Sequence, residues 1–143
     1  MTGEFVVISY KYTNLISKYS SYIATPPLLN LGVDPYTNET KVVLNIEFTP
    51  HPTLGVTKFR IREWYDSNDD LVQYRYCWEM NSKPAGNISA WENEHNHGLS
   101  TDPHHRHHVL YDRKPVEANH DIRTLEQAFE FVISYLSTGN DYP

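Results

Sequence analysis

Histidine is concentrated in one part of this sequence. The chain has eight histidines, and six of them lie between residues 95 and 108. Imidazole titrates near neutral pH and is the commonest metal ligand in proteins, so this density favours either acid–base chemistry or metal binding. The segment reads His95-Asn96-His97 and, after a short turn, Pro103-His104-His105-Arg106-His107-His108. If its second half is extended, His105 and His107 point to the same side.

One interpretation of this segment needs no metal. His105 and His107 would form an acid–base pair, in which one imidazole removes the 2′-hydroxyl proton of RNA and the other donates a proton to the leaving oxygen. Arg106 or Arg113 would bind the phosphate and stabilise the charge of the phosphorane. This chemistry predicts a phosphodiester-cleaving site.

A second interpretation is a metal site. His95 and His97 form one His-x-His pair, and His105 and His107 form another, so the two pairs could meet around one ion. Imidazoles with a carboxylate from Glu92, Glu94 or Asp102 would suit zinc, nickel or iron, and a catalytic metal needs an open coordination position. A third interpretation, a solvated histidine-rich loop without chemistry, also stays open.

The strands expected around this segment supply further candidates. By alternation, Glu63 shares a strand face with Phe59 and Ile61, where an ionised carboxylate needs a cation or hydrogen-bond donor. We expect Glu63 either to orient a catalytic histidine or to pair with a structural partner such as Arg75. Tyr76 and Trp91 are candidates for stacking on unpaired bases. For the face that holds Tyr74, Tyr76 and Trp78, packing under the last helix is the favoured interpretation.

A sheet and two helices must position these residues. Apolar spacing predicts a helix from Gly3 to Ile23, although its β-branched beginning could also be a strand. Alternating runs predict strands over 41–48, 58–66, 71–79, 87–92 and 107–112, with a hairpin at 67–70 and a turn at 81–86. A last helix is expected between a Thr124 cap and Gly139. The fold class is therefore α+β: a single antiparallel sheet of about five strands, with the N-terminal and C-terminal helices packed on it.

The composition limits the classes of protein. A length of 143 residues fits one domain spanning residues 1–143. The longest apolar run near the start is too short to span a membrane, and the single cysteine, Cys77, cannot form an intrachain disulfide, so we expect a cytoplasmic protein. A net charge of −6, with histidine counted as neutral, argues against a generic nucleic-acid binder. Asp66, Asp69 and Asp70 form an acidic corner that suits a basic partner.

The order of these segments resembles a known family. The aromatic strand Tyr74 to Trp78, then Trp91-Glu92-Asn93 before His95 and His97, then the run from Pro103 to Val109 and a closing helix are similar to the TumE family, the toxin components of bacterial and archaeal toxin–antitoxin pairs. The resemblance covers most of residues 58–136. In the family, a segment of arginine-aspartate-asparagine type precedes the histidines. Here Glu92 takes the place of the aspartate, and the arginine is absent.

The resemblance implies a growth-inhibiting protein encoded beside a helix-turn-helix antitoxin, with an action on RNA. Together with the histidine chemistry, it predicts an endoribonuclease that requires no cofactor. Two alternatives remain: a non-catalytic partner of a transcriptional regulator, and a metal-dependent hydrolase with zinc or another divalent metal at a multi-histidine site. The sequence leaves both a monomer and a homodimer open.

Overall fold

The sheet is a continuous antiparallel meander in which every strand pairs with the next one along the chain. The computed structural model describes residues 3–81 and 86–143, with side chains described from residue 10 onward. Its elements are α1 (Gly3–Lys18), a 3-10 turn (Ser20–Tyr22), β1 (Leu28–Val33), β2 (Thr40–Glu47), β3 (Thr57–Tyr65), β4 (Leu71–Met80), β5 (Asn87–Glu92), β6 (His105–His107), β7 (Glu117–Ala118) and α2 (Leu125–Thr138). The α+β class with one antiparallel sheet and two helices is confirmed, with seven strands instead of five.

Alternation of apolar and polar residues determines which face of each strand is buried. Val42, Leu44 and Ile46 are buried on β2, and Phe59 and Ile61 are buried on β3. The β3–β4 hairpin closes where expected, because the Asp66 carboxylate accepts the backbone N–H groups of residues 68 and 70 at 2.9 and 3.1 Å. The sheet therefore has one apolar face that must be covered.

Both helices cover that apolar face. Thr124 and Gln127 form a capping box at the start of α2, and Gly139 ends the helix in the left-handed conformation, as expected. Phe129 of α2 stacks on Tyr19, 5.5 Å between ring centroids, and meets Phe59 edge-on at 5.3 Å. Tyr74, Tyr76 and Trp78 lie in this core, so the favoured interpretation of their face is confirmed.

Several element boundaries differ from the sequence-based expectation. The segment 28–33 forms the edge strand β1, which was not predicted, because Pro26-Pro27, Gly32 and Pro35 weaken its strand pattern. The fifth predicted strand, 107–112, is wrong in position: β6 spans His105–His107, and a tight turn follows in which Val109 pairs with Asp112 and Tyr111 has φ 66°. The predicted turn at 81–86 lies mostly outside the described residues. Neither helix in the described ranges has the length and apolar character needed to cross a membrane.

Candidate active site on the open sheet face

A row of polar side chains crosses the sheet on the face opposite the helices, called the open face below. The antiparallel register places Arg62 of β3 opposite Arg75 of β4, Arg75 opposite Glu92 of β5, and Glu92 opposite His105 of β6. Directly paired residues of neighbouring strands share a face, so these four side chains project together. A parallel row ends in His107, whose strand partner is Ala90.

His105 and His107 are oriented by the backbone. The His105 Nδ1 lies 3.0 Å from the Pro103 carbonyl oxygen, and the His107 Nδ1 lies 3.2 Å from the Pro115 carbonyl oxygen. A carbonyl accepts only, so in each ring Nδ1–H donates, and the neutral ring carries its lone pair on Nε2. The two ring centroids are 5.1 Å apart. Both imidazoles are therefore held with a basic nitrogen available to the same small region.

Glu92 completes this group. One ligand atom from each of Glu92, His105 and His107 lies within 4.8 Å of the others. The Glu92 Oε2 is 3.5 Å from the His105 Nε2. Its Oε1 accepts a hydrogen bond from Arg113 and lies 3.5 Å from the Arg75 Nε. The carboxylate thus connects the histidines to two arginines.

Burial and charge determine which groups are ionised. Burial alone would raise the pKa of the Glu92 carboxyl, but Arg113 and Arg75 outweigh it, and the pKa lies below its usual value. Burial and the charge of Arg113 lower the pKa of His107, and Glu92 opposes them only in part. At neutral pH the site therefore holds an ionised Glu92 and a neutral His107, beside two cations.

The loop between β5 and β6 covers the site with His97. The ring centroid of His97 lies 4.3 Å from that of His105, which is itself 1% exposed. The Asp102 carboxylate fixes this loop by accepting the N–H groups of residues 97, 98 and 99 at 3.1, 2.9 and 3.1 Å. His97 is exposed, so its ring lies at the surface against the buried ring of His105.

The metal ligands expected from the sequence are only partly brought together. Within the described residues, the group that could hold an ion consists of Glu92, His105 and His107, whereas His95 and His97 are not part of it. His95 is exposed, and its φ of 63° places it in a sharp bend. The two His-x-His pairs do not form one ligand set: the His97 ring lies against His105 but is not part of the three-ligand group, and neither is His95.

Glu63 lies on the other face of the sheet from His105 and His107, so the expectation that it orients one of these histidines is wrong. It projects from β3 into the face covered by the helices, where it is fully buried. Its carboxylate accepts hydrogen bonds from Lys11 at 3.1 and 3.2 Å, from Tyr65 at 3.0 Å, from Tyr76 at 2.5 Å and from Tyr12. Arg75, its expected structural partner, lies on the open face instead.

The four residues expected to bind the substrate also lie on both faces of the sheet. Tyr76 and Trp91 are 0% exposed and belong to the core, so neither ring has a face on which a base could stack. Arg106 pairs with Glu117 at 3.1 Å and shares the cross-strand row of Trp91, on the other face from the histidines. Of the four, Arg113 is the residue that reaches the site, where it also donates to the Cys77 Sγ at 3.3 Å.

Sequence reasoning did not find the part of the site that comes from strand pairing. Glu92 was one of three candidate carboxylates, Arg75 was considered only as a partner for Glu63, and Arg62 was not considered. The missing signal was register, since Arg75 and Glu92 become neighbours only when β4 and β5 pair as they do. Cys77 is buried, and burial raises the pKa of its thiol.

Fold and site together define a small α+β protein with a polar histidine, glutamate and arginine group on the uncovered face of one antiparallel sheet. The family profile described as Toxin TumE matches residues 29–138. The chain belongs to this family of toxins, and such a toxin has a cognate antitoxin as its partner. No curated protein and no solved structure matches the chain. The matched range includes every residue of the site and excludes α1.

Proposed function

We propose that this toxin cleaves RNA at the open face, with His105 and His107 as the acid–base pair. One observation is the main support for the proposal. Two imidazoles, each oriented by a backbone carbonyl, lie next to an ionised glutamate that already binds two arginines. Guanidinium N–H donors of Arg75 and Arg113 beside basic nitrogens suit a phosphodiester, whose charge grows in the transition state.

His107 is the better general base, because burial and Arg113 keep its ring neutral at neutral pH. It would take the proton of the 2′-hydroxyl as that oxygen attacks phosphorus. In this step His105 would be the imidazolium, with a second proton on Nε2, and would give that proton to the departing 5′-oxygen as the phosphorus–oxygen bond breaks. Glu92 at 3.5 Å is the charge partner of that imidazolium. The products are a 2′,3′-cyclic phosphate and a 5′-hydroxyl, so no water or cofactor is consumed.

Arg113 and Arg75 would neutralise the phosphate. Their side chains are each 37% exposed, so part of each guanidinium faces solvent while it holds Glu92. A guanidinium can bind a carboxylate and a phosphate oxygen at once, because it has five N–H donors. RNA would have to displace the exposed His97 ring to reach His105.

A divalent metal is the second candidate, favoured by the three-ligand geometry of Glu92, His105 and His107. Two ligands of one tetrahedral zinc lie roughly 3.4 Å apart, and the Glu92 Oε2 and His105 Nε2 are 3.5 Å apart. Hydrogen bonds from Nδ1 to backbone carbonyls are also the usual outer support of metal-binding histidines. Against this, Arg75 and Arg113 already neutralise the carboxylate and would repel a cation, so the metal-free reaction ranks first.

The partner we propose is a helix-turn-helix antitoxin that binds away from the histidines. The acidic corner formed by Asp66, Asp69 and Asp70 at the β3–β4 hairpin would contact its basic surface. This assignment places the antitoxin contact outside the catalytic face. It also permits toxicity and antitoxin binding to be separated by mutation.

The test uses untagged protein that is purified without a nickel column. RNA cleavage is measured with and without chelator, and the metal content is measured by elemental analysis. We expect metal-free cleavage of single-stranded RNA, loss of about 10²–10⁴-fold in His105→Gln and His107→Gln, and full activity in the control His120→Gln. An RNA with one 2′-deoxyribose at the cleaved position should resist. Stoichiometric metal with chelator-sensitive activity would move the assignment to a metal hydrolase, and absence of cleavage with intact antitoxin binding would favour a non-catalytic partner protein.

A further inference from the structure

We infer that Arg62 binds a backbone phosphate of the RNA other than the one being cleaved, so that the strand lies across β3 and β4 along the row that ends at His105. The inference rests on the proposed function, since it assigns the substrate path of that same site. No residue of β3 was among the substrate-binding residues expected from the sequence.

Arg62 differs from the other arginines of the open face in its contacts. Arg60 binds Glu79 at 2.5 Å, Arg75 binds Glu94, and Arg113 binds Glu92. In contrast, Arg62 donates to the side-chain oxygen of Asn45 at 3.1 Å and to the carbonyl of Ile61 at 2.8 Å. Within residues 10–81 and 86–143, no carboxylate lies at ion-pair distance from it. Among those residues, its charge therefore has no anionic partner.

The surroundings of Arg62 are those of an anion site. Arg75 stands directly opposite it on β4, and like charges in such a cross-strand pair destabilise a sheet. Burial lowers the pKa of the Arg62 guanidinium, and the charges of Arg60 and Arg75 lower it further. A bound phosphate would relieve this repulsion. Glu94 already compensates Arg75, so Arg62 is the member of this pair that a phosphate would neutralise.

The position of Arg62 favours RNA over an acidic peptide as the occupant. Neighbouring strands lie about 4.8 Å apart, so three strand spacings place Arg62 roughly 14 Å from His105. The row between them holds Arg75 and Glu92, and it leads directly to the catalytic pair. A linear polyanion that places one phosphate at the histidines can extend to Arg62 along this row. An acidic segment of a partner protein has no such reason to reach His105.

Binding would be measured with a fluorescent single-stranded RNA in which every 2′-hydroxyl is methylated, so that no cleavage is needed. Arg62→Gln should weaken binding about tenfold and reduce the slope of log affinity against log salt by about 0.7, the loss of one phosphate contact. The control, Arg123→Gln, makes the same change of charge on the helix side and should leave both values unchanged. Equal effects of the two variants would overturn the inference.

Cleavage supplies a second, independent measurement. A dinucleotide has one phosphate, which must lie at the histidines, so Arg62→Gln should not change its cleavage. For a longer RNA the same variant should raise KM about tenfold at constant kcat. A loss with both substrates would mean that Arg62 supports the fold or the chemistry, and would overturn the assignment.

If nothing is cleaved but binding still depends on Arg62, the proposed ribonuclease fails and the phosphate site stands. If poly-glutamate binds as tightly as RNA, and its binding depends equally on Arg62, the surface binds an acidic partner protein instead.

Discussion

At the scale of single residues, the chemistry of this site depends on which nitrogen of each histidine is free. Backbone carbonyls from Pro103 and Pro115 fix both tautomers, so orientation comes from the chain itself and not from a carboxylate. Glu92 instead affects the histidines through its negative charge. It raises the pKa of His107, against the larger lowering by burial and Arg113, and it stands beside His105.

Replacing Glu92 by Gln tests that role. We expect kcat/KM to fall about 10²-fold, because the proton on His105 loses its charge partner. The pKa of His107 should fall further, since the contribution that raises it is removed. A general base works only when deprotonated, so the acid limb of the pH–rate profile should move to lower pH in the variant. Glu117→Gln, which removes a carboxylate from the Arg106 pair, is the matched control. An unchanged acid limb in Glu92→Gln would argue for a purely structural Glu92.

At the scale of elements, β3 presents two different sites on its two faces. Arg62 faces solvent and the histidine row, while Glu63, one residue along, lies under α1 among Lys11 and three tyrosines. A buried carboxylate that accepts this many hydrogen bonds stabilises the folded protein, and its loss would leave Lys11 without its partner.

Glu63→Gln should therefore lower the free energy of unfolding by about 3 kcal/mol, as for one partner lost from a buried ion pair. The cleavage rate of the folded variant should stay at the wild-type value, because Glu63 lies on the other side of the sheet from His105. Urea titration measures the first quantity, and an assay at low temperature, where the variant is folded, measures the second. A rate loss without a stability loss would restore a catalytic role for Glu63.

The segment that follows β6 contains a pH-sensitive position. Burial and the charge of Arg106 lower the pKa of His108 to about 4, and its Nδ1 lies 2.8 Å from the Ser89 hydroxyl. The unfolded chain takes up a proton near pH 6.5, before the folded protein does. The stability contributed by the neutral ring is complete above that pH and is lost as pH falls towards 4.

We expect the free energy of unfolding to fall by about 1–2 kcal/mol over this range, once solvent screening of the partly exposed ring is included. His108→Gln should remove that part of the pH dependence while retaining a polar side chain near Ser89. Urea titrations of both proteins at neutral and acidic pH measure the difference. If the free energy of unfolding falls equally in both proteins on acidification, a group other than His108 causes the acid sensitivity.

The sequence predicted most of the elements but less of the site, for physical reasons that particular residues make clear. The period of α2 and its Thr124 cap are local signals, and they placed that helix correctly. Alternation also placed His105 and His107 on one side. Contacts made across strands, such as Arg75 with Glu92, depend on register, which no local pattern specifies. The prediction for Glu63 was wrong because alternation reveals which residues share a face but not which helix covers it.

At the scale of the whole molecule, charge is divided between surfaces. The chain carries a net charge of −6, yet the open face presents Arg60, Arg62, Arg75 and Arg113. Glu79, Glu94 and Glu92 pair with three of these arginines, and Arg62 has no such carboxylate partner among the described residues. Asp66, Asp69 and Asp70 form a separate acidic group at the β3–β4 hairpin. An acidic corner away from the histidines suits a protein that binds a basic antitoxin there and RNA at the open face.

The last prediction concerns that acidic corner. Asp66 closes the hairpin turn through its hydrogen bonds, so it should be kept, whereas Asp69 and Asp70 can be changed together to Asn. Asp69 has φ 63°, a conformation that Asn adopts readily, so the turn should be retained. We expect the double variant to bind the cognate antitoxin about three- to tenfold more slowly at low salt, with the difference shrinking as salt screens the charges. RNA cleavage should be unchanged. Asp121→Asn with Asp141→Asn makes the same change in net charge on exposed residues elsewhere. If that control slows association equally, net charge alone attracts the antitoxin, and the corner is not its docking site.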